Sequence, residues 1–217
     1  MVDNLWDDIT SCKVSKNLVV IIYIFDENTA SQTIMQILTK IEDKELPFEW
    51  LYLTDLRKSN SLRKEIYLGD KGNPVEELKT FFYSCFGNLK DNLIVWNGKW
   101  AYFFLDTWEI DSDNYNLSIE NSSKETARYL KTLADSDIDT DYEGLCICND
   151  WEELLSIIIP AVVNHSTPYS PYFLDKKNEF MFYFHHTNSI GIYYKSENEI
   201  IQQIFQKASA LNCVISD

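Results

Sequence analysis

Nine residues near the middle of the chain carry an acid at every second position: Asp135-Ser-Asp137-Ile-Asp139-Thr-Asp141-Tyr-Glu143. Carboxylates at that density can hold a hard cation or draw in a basic macromolecule. Taking Asp139 as position 1 of a calcium loop places Asp141 at 3, Glu143 at 5, Gly144 at 6 and Asp150 at 12, the ligand spacing of an EF-hand with its turn glycine. Glu at 5 and Asp at 12 are second-best ligands, however. Cys146 stands at position 8, where an aliphatic side chain belongs, and the preceding helix ends several residues early. The expectation is a solvated acidic loop without a metal.

The other residues able to do chemistry are scattered. His185 and His186 are neighbours in a predicted strand and so point to opposite faces, while His165 stands alone after a helix. Their spacing matches no CxxC, HxxxH or HExxH pattern, and no nucleophile motif accompanies them, so structural or surface histidines are expected. Five cysteines (Cys12, Cys85, Cys146, Cys148 and Cys213) are odd in number and dispersed, which suits a reducing compartment better than a disulfide framework. Cys146 and Cys148 share one face of a predicted strand and read as small buried hydrophobes. No cofactor is expected. A nucleotide would need a glycine-rich turn after the first strand, and that turn reads Asp26-Glu27-Asn28-Thr29.

Charge is the dominant signal. Between Ala101 and Glu153 three basic side chains face fourteen acidic ones, a net −11 out of −15 for the whole chain. A folded surface of that kind repels itself and attracts cations, and a basic protein partner is the commonest reason for one. The candidate partner-binding acids are Asp106, Glu109, Asp111, Asp113, Asp135, Asp137, Asp139, Asp141 and Glu143. Trp100 and Trp108 join them as aromatic anchors, from a cluster that also holds Trp96, Tyr102, Phe103 and Phe104.

The scaffold for these residues is a substantial one. With 217 residues, 45% hydrophobic and 14% aromatic content, and only 6 Gly and 5 Pro, the chain is no disordered acidic tail. Folding can bury about two-thirds of its unfolded surface. The first residues lack a basic and an apolar signal region, and the longest apolar run, Leu18 to Phe25, is too short to span a bilayer. A cytoplasmic monomer, not bound to membranes, is expected.

In chain order, Asn17 to Phe25 reads as a buried strand, Thr29 to Glu42 as a helix and Phe48 to Leu53 as a second strand, a β-α-β unit. Ser59 to Leu68 suggests a short helix, and Asn73-Pro74-Val75-Glu76 opens a helix that stops at Gly87. Asn97-Gly98 predicts a hairpin joining Leu93–Trp96 to Lys99–Phe104. Asp106 to Asn121 reads as a loop or weak strand, and as a seam if the single domain 1–217 has two lobes. Ser122 to Glu125 forms a capping box for a helix to Ala134, Leu145 to Cys148 a short strand, and Asn149-Asp150 the start of a helix through Ile159 and past Pro160. Glu179–His186 and Ile190–Lys195 make a second hairpin. Ser196 to Glu199 then caps a helix to Leu211, and Cys213 to Ile215 forms an edge strand. The class is α+β: a mixed sheet with an N-terminal β-α-β unit, two hairpins and several packed helices.

The segment Phe180-Met-Phe-Tyr-Phe-His-His-Thr-Asn-Ser-Ile-Gly-Ile-Tyr-Tyr-Lys and the helix after it, on an acidic α+β body without a catalytic motif, resemble bacterial toxin-immunity proteins. The resemblance implies a non-catalytic, stoichiometric inhibitor that blocks the active site of a toxin domain, often a basic nuclease. Two other readings stay open. Acids at i, i+2 in an extended chain lie about 6.6 Å apart, so the chain could mimic a nucleic-acid strand toward a DNA- or RNA-binding enzyme. It could also be an enzyme with an unrecognised His/Cys site.

Overall fold

Eight short strands pair edge to edge in the computed structural model, which describes residues 36–41, 48–69, 72–109 and 114–217. The strands are β1 (Leu38–Lys40), β2 (Leu62–Tyr67), β3 (Leu93–Asn97), β4 (Trp108–Glu109), β5 (Asn114–Tyr115), β6 (Gly144–Cys148), β7 (Tyr172–Asp175), β8 (Phe180–His185), β9 (Ser189–Tyr194) and β10 (Val214–Ser216). The helices are α1 (Pro74–Phe86), α2 (Lys124–Asp135), α3 (Trp151–Val163) and α4 (Glu199–Ala210). The large sheet runs β1-β6-β3-β7-β8-β9-β2-β10, and each neighbouring pair is antiparallel. β4 and β5 form a separate two-stranded ribbon within the 106–121 stretch. The architecture is α+β, and the described residues fall within one unit, Ile34–Asp217.

One face of the sheet is aliphatic and aromatic. Val95, Cys146, Phe173, Phe182, Ile192 and Ile66 pack there in one core with Phe82 and Phe86 of α1, Leu154 and Ile158 of α3, and Ile201 and Ile204 of α4. The Phe86 and Phe182 rings stack at 3.9 Å and 3°. Cys146 and Cys148 share this face as expected, and burial pushes both thiols up to about 12. The opposite face carries Leu145, Leu174, Met181 and Tyr193, and it is covered by Phe48, Trp50, Leu51 and Leu53.

Local signals place the helices well. Asn73 caps α1 through its side chain, with Pro74 at the first position, and Asp150 caps α3 by accepting from the Glu153 amide at 3.0 Å. α3 runs on past Pro160 to Val163. The other two caps lie inside their predicted boxes but past the first residue, at Ser123 for α2 and Asn198 for α4. The β8–β9 hairpin and the β10 edge strand also form where the sequence places them.

Several expectations fail where tertiary pairing wins over local pattern. The Asn97-Gly98 hairpin does not form. β3 is flanked on one side by β6 and on the other by β7, so neither of its edges is left for a strand at 99–104. Those residues instead wind into a short 3-10 turn at Trp100–Tyr102 that drives Trp100 and Phe103 into the core. Ser59–Leu68 contains β2 rather than a helix, because Leu62–Tyr67 pairs with β9 along one edge and β10 along the other. Of the β-α-β unit, 17–35 lies outside the described residues. Leu38–Lys40 at the end of its predicted helix is an edge strand on β6, and Phe48–Leu53 is turn rather than strand. The Leu38 amide is tied to Ser136 Oγ at 3.1 Å, a partner 98 residues away that local periodicity cannot anticipate.

Candidate partner-binding surface

At the β1/β6/β3/β7 end of the sheet the covered face opens into a groove of about 640 Å³. Trp96 and Tyr172, cross-strand neighbours on β3 and β7, stack with nearly parallel planes and ring centroids 5.5 Å apart. Leu145, Ile41 and Leu53 add apolar surface, Tyr142 and Tyr169 line the walls, and Lys99 and Glu143 stand at the rim. Burial raises the pKa of the Tyr142, Tyr169 and Tyr172 phenols, so they are neutral hydroxyls at physiological pH. At Gly98 a Cβ would sit 3.2 Å from the Trp96 ring, so a larger residue there would press the ring aside by a few tenths of an ångström.

Tyr142 is the wall that joins groove and acidic loop. Its hydroxyl reaches the Leu145 carbonyl at 2.7 Å and the Ile41 carbonyl at 3.2 Å. Replacing Tyr142 with Phe should lower stability by about 1 kcal/mol, the net worth of one such bond. Urea denaturation reads this directly, and a variant as stable as the parent would show that the wall does not depend on it.

The acids predicted from sequence do not form one continuous face. Asp106 accepts from Thr126 Oγ1 at 2.6 Å and from the Ser123 amide at 3.3 Å, so it sits at the N-terminus of α2. Asp135, Asp137, Asp139 and Asp141 lie at its other end, a twelve-residue helix away, or roughly 18 Å. Lys131 pairs with Asp135, Lys40 with Asp139 at 2.9 Å, and Lys99 with Glu143 at 3.8 Å. The Lys40 ammonium holds the Asp139 carboxyl below its usual range, and Asp139 raises Lys40 in return. Asp137 and Asp141 are exposed and make no ion pair among the described residues. Glu109 is on the β4–β5 ribbon and accepts from Asn116 Nδ2, while Asp111 and Asp113 lie outside the described residues.

The 135–143 stretch is not an extended chain. Asp137 has φ 55, and the Ile138 amide returns to the Leu133 carbonyl at 2.9 Å, closing α2 with a left-handed residue. The Tyr142 amide then bonds the Asp139 carbonyl, making a turn. The regular spacing that a nucleic-acid mimic needs is therefore absent from this loop. The calcium spacing fails as well. β6 runs straight from Gly144 to Cys148, so Asp150 caps α3 at the far end of a strand from Asp139, Asp141 and Glu143.

Of the two predicted tryptophan anchors, Trp100 is a correction. It is 0% exposed, and its Nε1 donates to the Gly144 carbonyl at 3.0 Å, which makes it a core residue out of a partner's reach. Trp108 is 49% exposed and stacks on Tyr115, which is also exposed. Tyr115 contacts Tyr102 at 4.0 Å, and Lys99 lies over the Tyr102 ring. An aromatic row thus leads from the β4–β5 ribbon to the rim of the groove. No family model, curated protein or solved structure matches this chain. The reading of function rests on this surface.

Sequence reasoning missed Tyr142, Tyr169 and Tyr172. Tyr142 is hidden among the acids, and the Tyr-rich stretch Thr167-Pro-Tyr-Ser-Pro-Tyr172 was the only available signal for the other two. It also misplaced the histidines. β8 ends at His185, and His186 is in the turn, so the two rings lie side by side at 4.1 Å instead of on opposite faces. His165 joins them, 4.4 Å from His186. Cys85, Cys146 and Cys148 are buried in the core, their thiols pushed up to about 12, which removes the thiolate that a nucleophile requires. Among the described residues no helix is long and apolar enough to cross a membrane.

Proposed function

We propose that this chain is a non-catalytic binding protein that captures a basic protein partner. In this reading it acts in the cytoplasm as a monomer and blocks the partner's active site, the role implied by its resemblance to toxin-immunity proteins. The observation that carries the proposal is the aromatic groove beside an exposed acidic loop. Trp96, Tyr172, Tyr142 and Tyr169 supply a preformed anchor site, and Glu143, Asp141 and Asp137 supply the field that brings lysines and arginines to it. Arginine and lysine stems lie well on such rings, and their charges meet the carboxylates at the rim.

The test takes as candidate partner any basic protein encoded beside this chain's gene, mixed with it in stopped flow and followed by tryptophan fluorescence. Replacing Trp96 with Ala should raise the dissociation rate about tenfold or more, as for a central aromatic anchor, and leave the association rate nearly unchanged. If dissociation is untouched while binding persists, the groove is not the interface.

A further inference from the structure

The three histidines of the chain, His165 and the adjacent pair His185 and His186, stand in one row. His165 follows α3 in a left-handed conformation with φ 55, His185 ends β8, and His186 begins the β8–β9 turn. Ring centroids are 4.4 Å apart for His165 and His186, and 4.1 Å for His186 and His185. All three line a cavity of about 300 Å³, and Tyr169 and Tyr172 line both this cavity and the aromatic groove. The segment from Ser166 to Tyr172 is therefore a shared wall.

We infer that the histidine row is a proton-operated latch that holds the 166–171 segment, just before β7, against the sheet when the imidazoles are neutral and releases it when two neighbours are charged. Neutral imidazoles stack at these distances without electrostatic cost. Charged neighbours at 4.1 and 4.4 Å repel one another. The groups facing the row give little relief. On β2, Glu65 is the nearby carboxylate, and it already accepts from Ser189 Oγ at 2.6 Å and from Arg63 at 3.2 Å. Arg63 adds a positive charge of its own, and the cavity's tyrosines, Tyr169, Tyr172 and Tyr183, are neutral. His185 is tethered through Thr187 Oγ1 at 2.7 Å and then Ser189 Oγ at 3.0 Å to Glu65, which fixes its ring in place. The mobile partners are then His186 and His165.

Burial first, and then His186, hold the His185 pKa below its usual value. The sign follows from this. The open or unfolded form binds protons more readily, so the closed form is favoured above about pH 6.5 and loses ground as pH falls through the lowered value. The hydrogen bonds that tie the segment to the rest of the fold are few: Ser166 N to Ala161 O at 2.9 Å, Leu105 N to Ser166 O at 2.9 Å and Phe184 N to Ser170 Oγ at 3.2 Å, while Tyr172 stays in β7 opposite Trp96. Opening would displace Tyr169 from the groove, and acid would then loosen the grip on a partner. Only that consequence rests on the proposed function. The latch itself stands on the ring geometry.

Hydrogen exchange on the protein alone tests it, comparing pH 7.5 and 5.5 after correction for intrinsic exchange. Protection of 166–171 should fall about tenfold or more at the lower pH, with the α1 and β9 amides unchanged. His186→Asn, which removes the middle ring, should abolish the difference. His165→Asn, at an exposed end of the row, serves the same purpose if the first variant does not fold. Equal protection at both values overturns the latch, as does a loss that persists in the variants or spreads over the whole chain. No partner is present in this measurement, so a failure of the binding proposal leaves the result readable.

Discussion

Replacing Trp100 with Ala destabilises the protein by about 3–5 kcal/mol, the usual cost of emptying a fully buried aromatic site. The indole is 0% exposed, its Nε1 donates to the Gly144 carbonyl, and the Tyr129 hydroxyl donates to its own carbonyl at 2.8 Å. Truncation therefore leaves a cavity and an unsatisfied carbonyl at the start of β6. Against a total stability of roughly 5–15 kcal/mol, such a loss should lower the melting temperature by about 10 °C. Trp108→Ala is the matched control. Half-exposed on the β4–β5 ribbon, it should change stability by no more than about 0.5 kcal/mol. Calorimetry on both variants decides the matter, and a Trp100→Ala variant as stable as Trp108→Ala would contradict the core assignment.

Neutralising Asp137, Asp139 and Asp141 together to Asn should slow association with a basic partner about tenfold at low salt while leaving folding intact or slightly firmer. The folding half of that claim comes from where these acids sit. They follow the C-terminus of α2, the negative end of its dipole, where cations are favoured and carboxylates are not. Among the described residues only Asp139 has an ion pair to lose, and that pair, with the partly exposed Lys40, lies at the surface. Asn also tolerates the left-handed conformation that Asp137 must keep. Rate measurements across ionic strength should show a steep fall for the parent and a shallower one for the variant, since screening acts over about 8 Å at physiological salt. Identical salt slopes would make the acidic loop a solubility feature and move recognition elsewhere.

What the sequence revealed divides along a physical line. Asn73-Pro74 and Asn149-Asp150 marked helix starts correctly because a cap is a contact between residues three apart. The β8–β9 hairpin was legible for the same reason. Asn97-Gly98 carried an equally strong local signal and misled, because both edges of β3 are taken by β6 and β7 from much later in the chain. Leu38, whose amide is met by Ser136, shows the same limit. For the candidate site, charge was visible because it is a sum over composition. The groove was not, because Trp96, Tyr142 and Tyr172 meet only through strand order.

That strand order also governs how the protein is made. β2 is complete early in synthesis, yet its neighbours are β9 and β10, whose register pairs Tyr67 with Ser189 and with Val214. At ribosomal speeds of about 5–20 residues per second, some 120 to 150 residues separate these strands, a wait of roughly 6 to 30 seconds. During that interval Ile66, fully buried in the finished sheet, has no partner strand to shield it. Until its last quarter emerges, the nascent chain therefore carries β2 with both strand edges open, the condition in which a slow-closing sheet is most exposed to aggregation.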